Sequence, residues 1–179
     1  MKREFSGITR NWITELPRRL LIFDLDETLV HATLTALPRE ADFTVEGYCV
    51  YQRPGLPACL AALAPLYDFA VWSSASRSYV DAVVEHLFPG PFALRFAWAV
   101  ERCVQRVDMH ANSYVYVKDL RKVQGQGYMV DDITMLDDSP EKLVRQPRNH
   151  VAIPPYLGAA DDVGLMQATQ VLIARAMHR

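Results

Sequence analysis

The sequence predicts an α/β fold built on a parallel sheet flanked by helices, and three features carry that expectation. Apolar runs short enough to be strands, and continuous enough to be buried on both faces, recur at residues 20–23, 69–72 and 133–136. Amphipathic stretches separate them, the pattern of a chain that crosses over between parallel strands. Each run breaks off in polar residues at its carboxyl end, where open parallel sheets bind their ligands.

The first strand, 20–23, ends in Asp24 and Asp26. A polar stretch over 33–42 then leads to an alternating piece at 43–51 with Glu46-Gly47 as its turn, so a small β flap is expected after the first strand. Arg53-Pro54-Gly55 punctuates the chain, and 56–66 reads as a short helix entered through proline. The second strand delivers Ser73, Ser74 and Ser76, and Ser76 is placed to cap an amphipathic helix over 77–88. Residues 95–100 suggest another strand, and 114–117 an apolar run leading into Lys118, followed by a helix or turn that ends near Gly125 and Gly127. The run 133–136 ends in Asp137-Asp138-Ser139-Pro140, where Pro140 suits the first position of a helix continuing from Glu141. Residues 151–153 read as the last strand and 161–177 as a closing amphipathic helix.

At 179 residues the chain suits one domain, with its core over about 18–155. A domain of that size buries roughly 70% of its unfolded surface and needs no disulfides. A formal charge of -2 gives no bulk attraction for nucleic acid or an anionic membrane. Cys49, Cys59 and Cys103 are odd in number and lack a Cys-x-x-Cys pair, which fits a reducing compartment, argues against a zinc site and makes them core residues. The N-terminus has no apolar signal core. The most apolar stretch, 56–67, is broken by Pro57 and Pro65 and falls short of the ~20 residues that span a bilayer. A soluble, cytoplasmic protein is expected.

Asp24 and Asp26 are the center of the chemistry. Two carboxylates about 4 Å apart repel by roughly 4 kcal/mol at an effective dielectric near 20, so either a cation or a proton belongs between them. A hard ion such as Mg²⁺ would hold one acid ionised as a nucleophile and leave the other to carry a proton. An acidic turn after a strand is the plain structural alternative. If the three strands are parallel neighbours, however, a nucleophile, hydroxyls, a lysine and a third carboxylate meet in one crevice, a set suited to phosphoryl transfer. Asp131-Asp132 precedes its strand and reads as a solvated turn, while His31 and His110 lack any supporting nucleophile or ligand spacing.

Five motifs occur in order: Asp24-Leu25-Asp26-Glu27-Thr28-Leu29-Val30-His31, Arg53-Pro54-Gly55-Leu56, Trp72-Ser73-Ser74-Ala75-Ser76 with Tyr79, Tyr116-Val117-Lys118-Asp119-Leu120, and Leu136-Asp137-Asp138-Ser139-Pro140. In these the chain resembles the haloacid dehalogenase superfamily of aspartate-nucleophile phosphatases, within it the branch of the small RNA polymerase II C-terminal-domain phosphatases (NLI-interacting-factor-like). The resemblance implies a Rossmann-like fold with a small flap and no large cap domain. It implies Asp24 as nucleophile, Asp26 as general acid and base, Lys118 balancing charge, and Thr28 bracing the loop. Ser73, or its neighbour Ser74, would bind the phosphoryl group. Mg²⁺ would bind Asp24, the backbone carbonyl of Asp26, and the acid pair through Asp138, with Asp137 beside it. In the family, apolar flap residues form a substrate pocket beside the phosphate; Phe43, Val45, Val50 and Tyr51 either do this here or simply pack the flap on the sheet.

The stretches from Asp24 to Ser73 and from Ser73 to Lys118 leave little chain for a lid. An open site suits a phosphate carried on a large molecule, so the expected substrate is a phosphoserine or phosphothreonine protein or peptide, with phosphotyrosine also open. A small-molecule or polynucleotide-end phosphatase and a non-catalytic binding module are the other readings. No membrane partner is expected, and nucleic acid is disfavoured.

Overall fold

The computed structural model describes residues 18–90, 92–108 and 113–178, so the expectations placed on the N-terminal segment and on His110 lie outside the described residues. Five parallel strands form the main sheet: β1 (Arg19–Phe23), β5 (Tyr67–Trp72), β6 (Leu94–Trp98), β9 (Ile133–Asp137) and β10 (His150–Ala152). Their order across the sheet is β10-β9-β1-β5-β6. The chain runs from β1 outward on one side through β5 and β6, and then returns to the other side through β9 and β10. The switch in direction falls at β1, which places a crevice at its carboxyl end.

Leu20, Leu21, Ile22 and Phe23 are wholly buried, as a run covered on both faces requires. Alternation along β1 divides them between two cores. Leu21 and Phe23 pack with α1 (Leu56–Leu63), α2 (Arg77–Leu87) and α3 (Gly164–Met177). Leu20 and Ile22 face Trp72, Trp98, Met135, Leu120 and Leu143. α1 begins after Gly55, whose φ of 84° lies in the left-handed region open to glycine. Ser76 caps α2 as expected, its hydroxyl accepting from the Tyr79 N–H at 3.3 Å.

The flap is a three-stranded sheet in the order β2-β4-β3, formed by β2 (Val30–Thr33), β3 (Phe43–Val45) and β4 (Tyr48–Gln52). Its turn is Glu46-Gly47, with φ of 51° and 85°, the paired left-handed conformations of a tight hairpin. β2 has no counterpart in the sequence reading, because its four residues, though alternating, are too few to stand apart from the acid motif they continue. A second hairpin joins β7 (Val104–Asp108) to β8 (Ser113–Val117). The apolar run at 114–117 therefore lies outside the main sheet. No separate lid domain is present among the described residues between Asp24 and Lys118.

Three expectations need correction. The helix from Glu141 is only a 3₁₀ turn, Pro140–Leu143, with Pro140 in its first turn. A 3₁₀ turn at Pro147–Asn149 follows, and a proline at 147 prevents helical continuation through its missing N–H. Asp131 is exposed, but Asp132 is buried. Of the three free cysteines only Cys59 is fully in the core, with Cys49 and Cys103 half-buried.

Candidate active site

The register of the sheet brings the site together. Phe23 lies beside Val71 on one side and Leu136 on the other, so the residues following β1, β5 and the end of β9 emerge side by side. The Asp24 N–H donates to the Leu136 carbonyl at 3.0 Å. Beyond it the chain closes a tight loop: the N–H groups of Thr28, Leu29 and Val30 all donate to the Leu25 carbonyl, at 3.1, 2.8 and 3.0 Å. Glu27 takes φ 59° there, an uncommon conformation for a residue with a Cβ. Its own N–H bonds the Val30 carbonyl at 2.8 Å, and its carbonyl accepts from Tyr156 at 2.7 Å. Thr28 braces the loop, its hydroxyl accepting from the Asp138 N–H at 3.1 Å.

Asp24 is buried between two lysines. Lys118 Nζ stands 2.7 Å from its Oδ1 and 2.6 Å from Asp137 Oδ2, and Lys142 Nζ stands 3.1 Å from its Oδ2. Burial alone would raise the Asp24 carboxyl, but the charges of Lys118 and then Lys142 outweigh it and hold the group below its ordinary value. Asp26 is treated oppositely. Burial raises it above the ordinary value, the Asp24 charge adds to this, and its one hydrogen bond, from the Tyr79 hydroxyl at 2.6 Å, only partly offsets them. The two acids of one motif are thus driven apart, one toward the anion and one toward the acid form.

Lys118 does not come from a strand of the main sheet. It follows β8, and its side chain is wholly buried. Its N–H donates to the Lys142 carbonyl at 2.7 Å. Asp119, next to it, binds Arg145 at 2.5 Å and Gln146 at 3.1 Å, which ties this segment to the turn after β9. Burial pulls Lys142 down, but Asp24 and Asp137 more than offset it and keep the ammonium above its usual value. Lys142 was not singled out in the sequence. Its only signal is its position four residues after Asp138 in a motif whose acids needed cations.

Oxygens of Asp24, Asp137 and Asp138 lie within 4.8 Å of one another. A set of carboxylates is the donor chemistry a hard divalent cation takes, so the residues fit Mg²⁺. Asp137, like Asp24, has both oxygens engaged, with Oδ2 on Lys118 and Oδ1 accepting from the Ser139 N–H at 2.9 Å. The Asp26 carboxyl is not part of this trio and turns to Tyr79. Ser73 is buried at the end of β5, its hydroxyl accepting from the Ala75 N–H at 3.0 Å, and Ser74 beside it is half-buried.

Of the two readings of Phe43, Val45, Val50 and Tyr51, the burial of these side chains accords with packing of the flap. Val45, Val50 and Tyr51 are interior, and Phe43 stacks on His86 at 4.2 Å. The alternating faces of the strands turn a different set outward. A cleft of about 360 Å³ beside the loop after β1 is lined by Asp26, Glu27, Ala32, Glu46, Tyr48, Ala75, Ser76 and Tyr79. It is acidic and aromatic. Within it burial, then the charges of Asp26, Asp138 and Asp24, push Glu27 up to about 7. An acid whose folded value exceeds its unfolded one stabilises the fold below the unfolded value, and that contribution is lost as pH rises through about 7. Glu27→Gln is therefore expected to raise Tm at about pH 8 and to change it little near 4.5, the unperturbed value. Equal shifts at both pH values would refute this account.

The fold and this acid and lysine site define a phosphatase of the haloacid dehalogenase class. The chain belongs to the NLI interacting factor-like phosphatase family, which it matches over residues 19–178. Among relatives, the CTD nuclear envelope phosphatase 1 homolog of Caenorhabditis elegans is 24% identical, over 94% of this chain and 71% of that protein. Phosphatase Herzog of Drosophila melanogaster is 27% identical over 87% of this chain and 43% of its own length. The solved structure of Fcp1, an essential RNA polymerase II CTD phosphatase, aligns with a TM-score of 0.59 at 18% identity. That alignment covers 88% of this chain and 50% of Fcp1, so the chain spans about half of it, and the likeness is one of fold. Several relatives are named for the nuclear envelope. Among the described residues of this chain no helix is long and apolar enough to cross a membrane.

Proposed function

We propose that the protein hydrolyses phosphomonoesters on proteins or peptides through an aspartyl-phosphate intermediate. The observation that carries this is the opposed setting of the two acids: Asp24 is held as an anion by Lys118 and Lys142, and Asp26, which meets no cation among the described residues, is held toward its acid form. An Asp24 oxygen attacks phosphorus, the bond from phosphorus to the leaving oxygen breaks, and Asp26 gives that oxygen its proton. Water then attacks the aspartyl phosphate while Asp26 takes up a proton, which releases inorganic phosphate and restores Asp24. Ser73, at the adjoining strand end, orients the phosphoryl oxygens, and Lys118 offsets charge gathered on them and on Asp24. Asp24, Asp138 and the Asp26 carbonyl are the residues to hold Mg²⁺, which when bound supplies positive charge between nucleophile and phosphate.

An open site supports a macromolecular substrate. The segments that would form a lid are instead the flap and the β7-β8 hairpin. A panel of phosphoserine, phosphothreonine and phosphotyrosine peptides, set against sugar phosphates, nucleotides and 5′-phosphorylated oligonucleotides, tests this. Higher kcat/KM on the peptides is expected, and activity confined to small metabolites or polynucleotide ends would refute the protein-phosphatase reading. Placement in the cytoplasm belongs to this proposal and rests on the sequence alone.

Asp26→Asn is expected to cost roughly 10²- to 10⁴-fold in kcat on a substrate with a poor leaving group. The sign of the pH effect follows from the raised Asp26 value: its proton is present below that value and lost above it, so wild-type activity falls as pH rises through it. The variant should lack this falling limb. A limb that persists unchanged would assign the acid to another group.

A further inference from the structure

Lys118 and Lys142 contact the same acids in different ways. Lys118 is sealed in and takes one oxygen from each of Asp24 and Asp137. Lys142 takes the other side: its Nζ lies 3.1 Å from Asp24 Oδ2, 3.6 Å from Asp137 Oδ1 and 3.9 Å from Asp138 Oδ1. It therefore faces all three members of the group suited to a divalent cation. Its side chain is 17% exposed, against 0% for Lys118, so only Lys142 has a path out. Its carbonyl, held by the Lys118 N–H at 2.7 Å, fixes the backbone from which the flexible four-carbon stem extends.

We infer that Lys142 is a tethered counter-cation that occupies the metal's place among Asp24, Asp137 and Asp138, and that a divalent cation enters only by displacing its ammonium. This rests on the metal-site reading proposed above. Lys118 sits on Asp24 Oδ1, but Lys142 sits on Asp24 Oδ2 and near Asp138 Oδ1, and a divalent ion bound on that side would lie within a few ångströms of its ammonium and repel it. Two consequences follow. Lys142 lowers the protein's affinity for the ion, and it holds the three carboxylates together when no ion is bound. Without it, Lys118 alone would face three crowded acids.

The test is direct metal binding, independent of turnover. Mn²⁺ binding to the full chain, read as loss of the free-ion paramagnetic resonance signal, is compared for wild type, Lys142→Met, Lys142→Gln and Lys142→Arg. Lys142→Met keeps the stem and removes the charge; it is expected to bind Mn²⁺ about tenfold tighter or more. Lys142→Arg, which keeps the charge, should not bind tighter than wild type. In EDTA the Met and Gln variants should melt below wild type, and Mg²⁺ should raise their Tm by more than it raises the wild type's. A variant that folds only with metal present supports the inference too. Wild type and both neutral variants binding Mn²⁺ within twofold of one another would overturn it while leaving the metal site standing, and no binding by any of them would overturn both.

Discussion

Asp24→Asn is expected to reduce hydrolysis of p-nitrophenyl phosphate by about 10⁴-fold or more, leaving the fold intact. An amide of the same shape fills the same buried position but carries no anion to attack phosphorus. It also removes the charge that Lys118 and Lys142 are arranged around. Lys118 retains Asp137 at 2.6 Å, so the substitution does not strand a buried ammonium and the protein should fold. Activity should also vanish when wild type is treated with EDTA and return with Mg²⁺. Circular dichroism is the check that the variant folds, and wild-type rates from a folded Asp24→Asn would refute the nucleophile. No turnover by folded wild type in Mg²⁺ would favour a binding module on the same fold.

Arg53→Met should produce the largest loss of stability. The Arg53 side chain is wholly buried and meets Asp162 through two bonds, Nε to Oδ1 at 2.6 Å and Nη2 to Oδ2 at 3.0 Å. It donates as well to the carbonyls of Thr28 at 3.1 Å and Pro154 at 2.9 Å, and lies over the Tyr156 ring. One guanidinium thus joins the catalytic loop to the segment that leads into α3. Methionine fills similar space but leaves two carbonyls without this donor and Asp162 with the Gly164 N–H in place of a cation, a change that costs about 3–5 kcal/mol for a broken buried pair. At roughly 2–4 °C per kcal/mol for a chain of this size, Tm should fall by about 6–20 °C. Adding Asp162→Leu to Arg53→Met should recover part of that loss, because it removes the stranded carboxylate. A Tm change under about 2 °C would show that the pair contributes nothing net. The sign with pH is set by Asp162. Burial would raise it, but the Arg53 bonds hold it below its ordinary value, so the stabilisation is present above the unfolded value and fades as pH falls through the folded one.

Much of this was legible in the chain. The runs that became β1, β5 and β9 declare themselves because a strand covered on both faces has no polar residue to spare, and their ends carry Asp24, Ser73 and Asp137 in plain view. The Glu46-Gly47 turn and the Ser76 cap follow from local backbone chemistry and occur where local rules put them. The short strands β2 and β7 did not show, since four or five residues are too short a stretch to carry a signal apart from their partners. The Pro140 turn looked like a helix because its first residues suit one, and only packing and the later proline stop it. The flap left two readings open for a different reason: its apolar residues were visible, but which face of a small sheet turns inward is fixed by what lies beneath it. Phe43, Val45 and Tyr51 went inward or onto α2, and Glu46 and Tyr48 were left on the cleft.

By itself the sequence determined the class of fold and singled out the Asp24-Asp26 motif and the Asp137-Asp138 pair, because each depends on residues adjacent in the chain or on a period of two or of about four. Only the tertiary structure decided how those acids are set. Lys118 arrives from a hairpin outside the sheet, Lys142 from a turn four residues past Asp138, and Tyr79 from the helix after β5. Arg53 finds Asp162 across 109 residues. A carboxylate's charge state depends on burial and on the cations within a few ångströms of it, and those distances come into being only when the chain closes on itself.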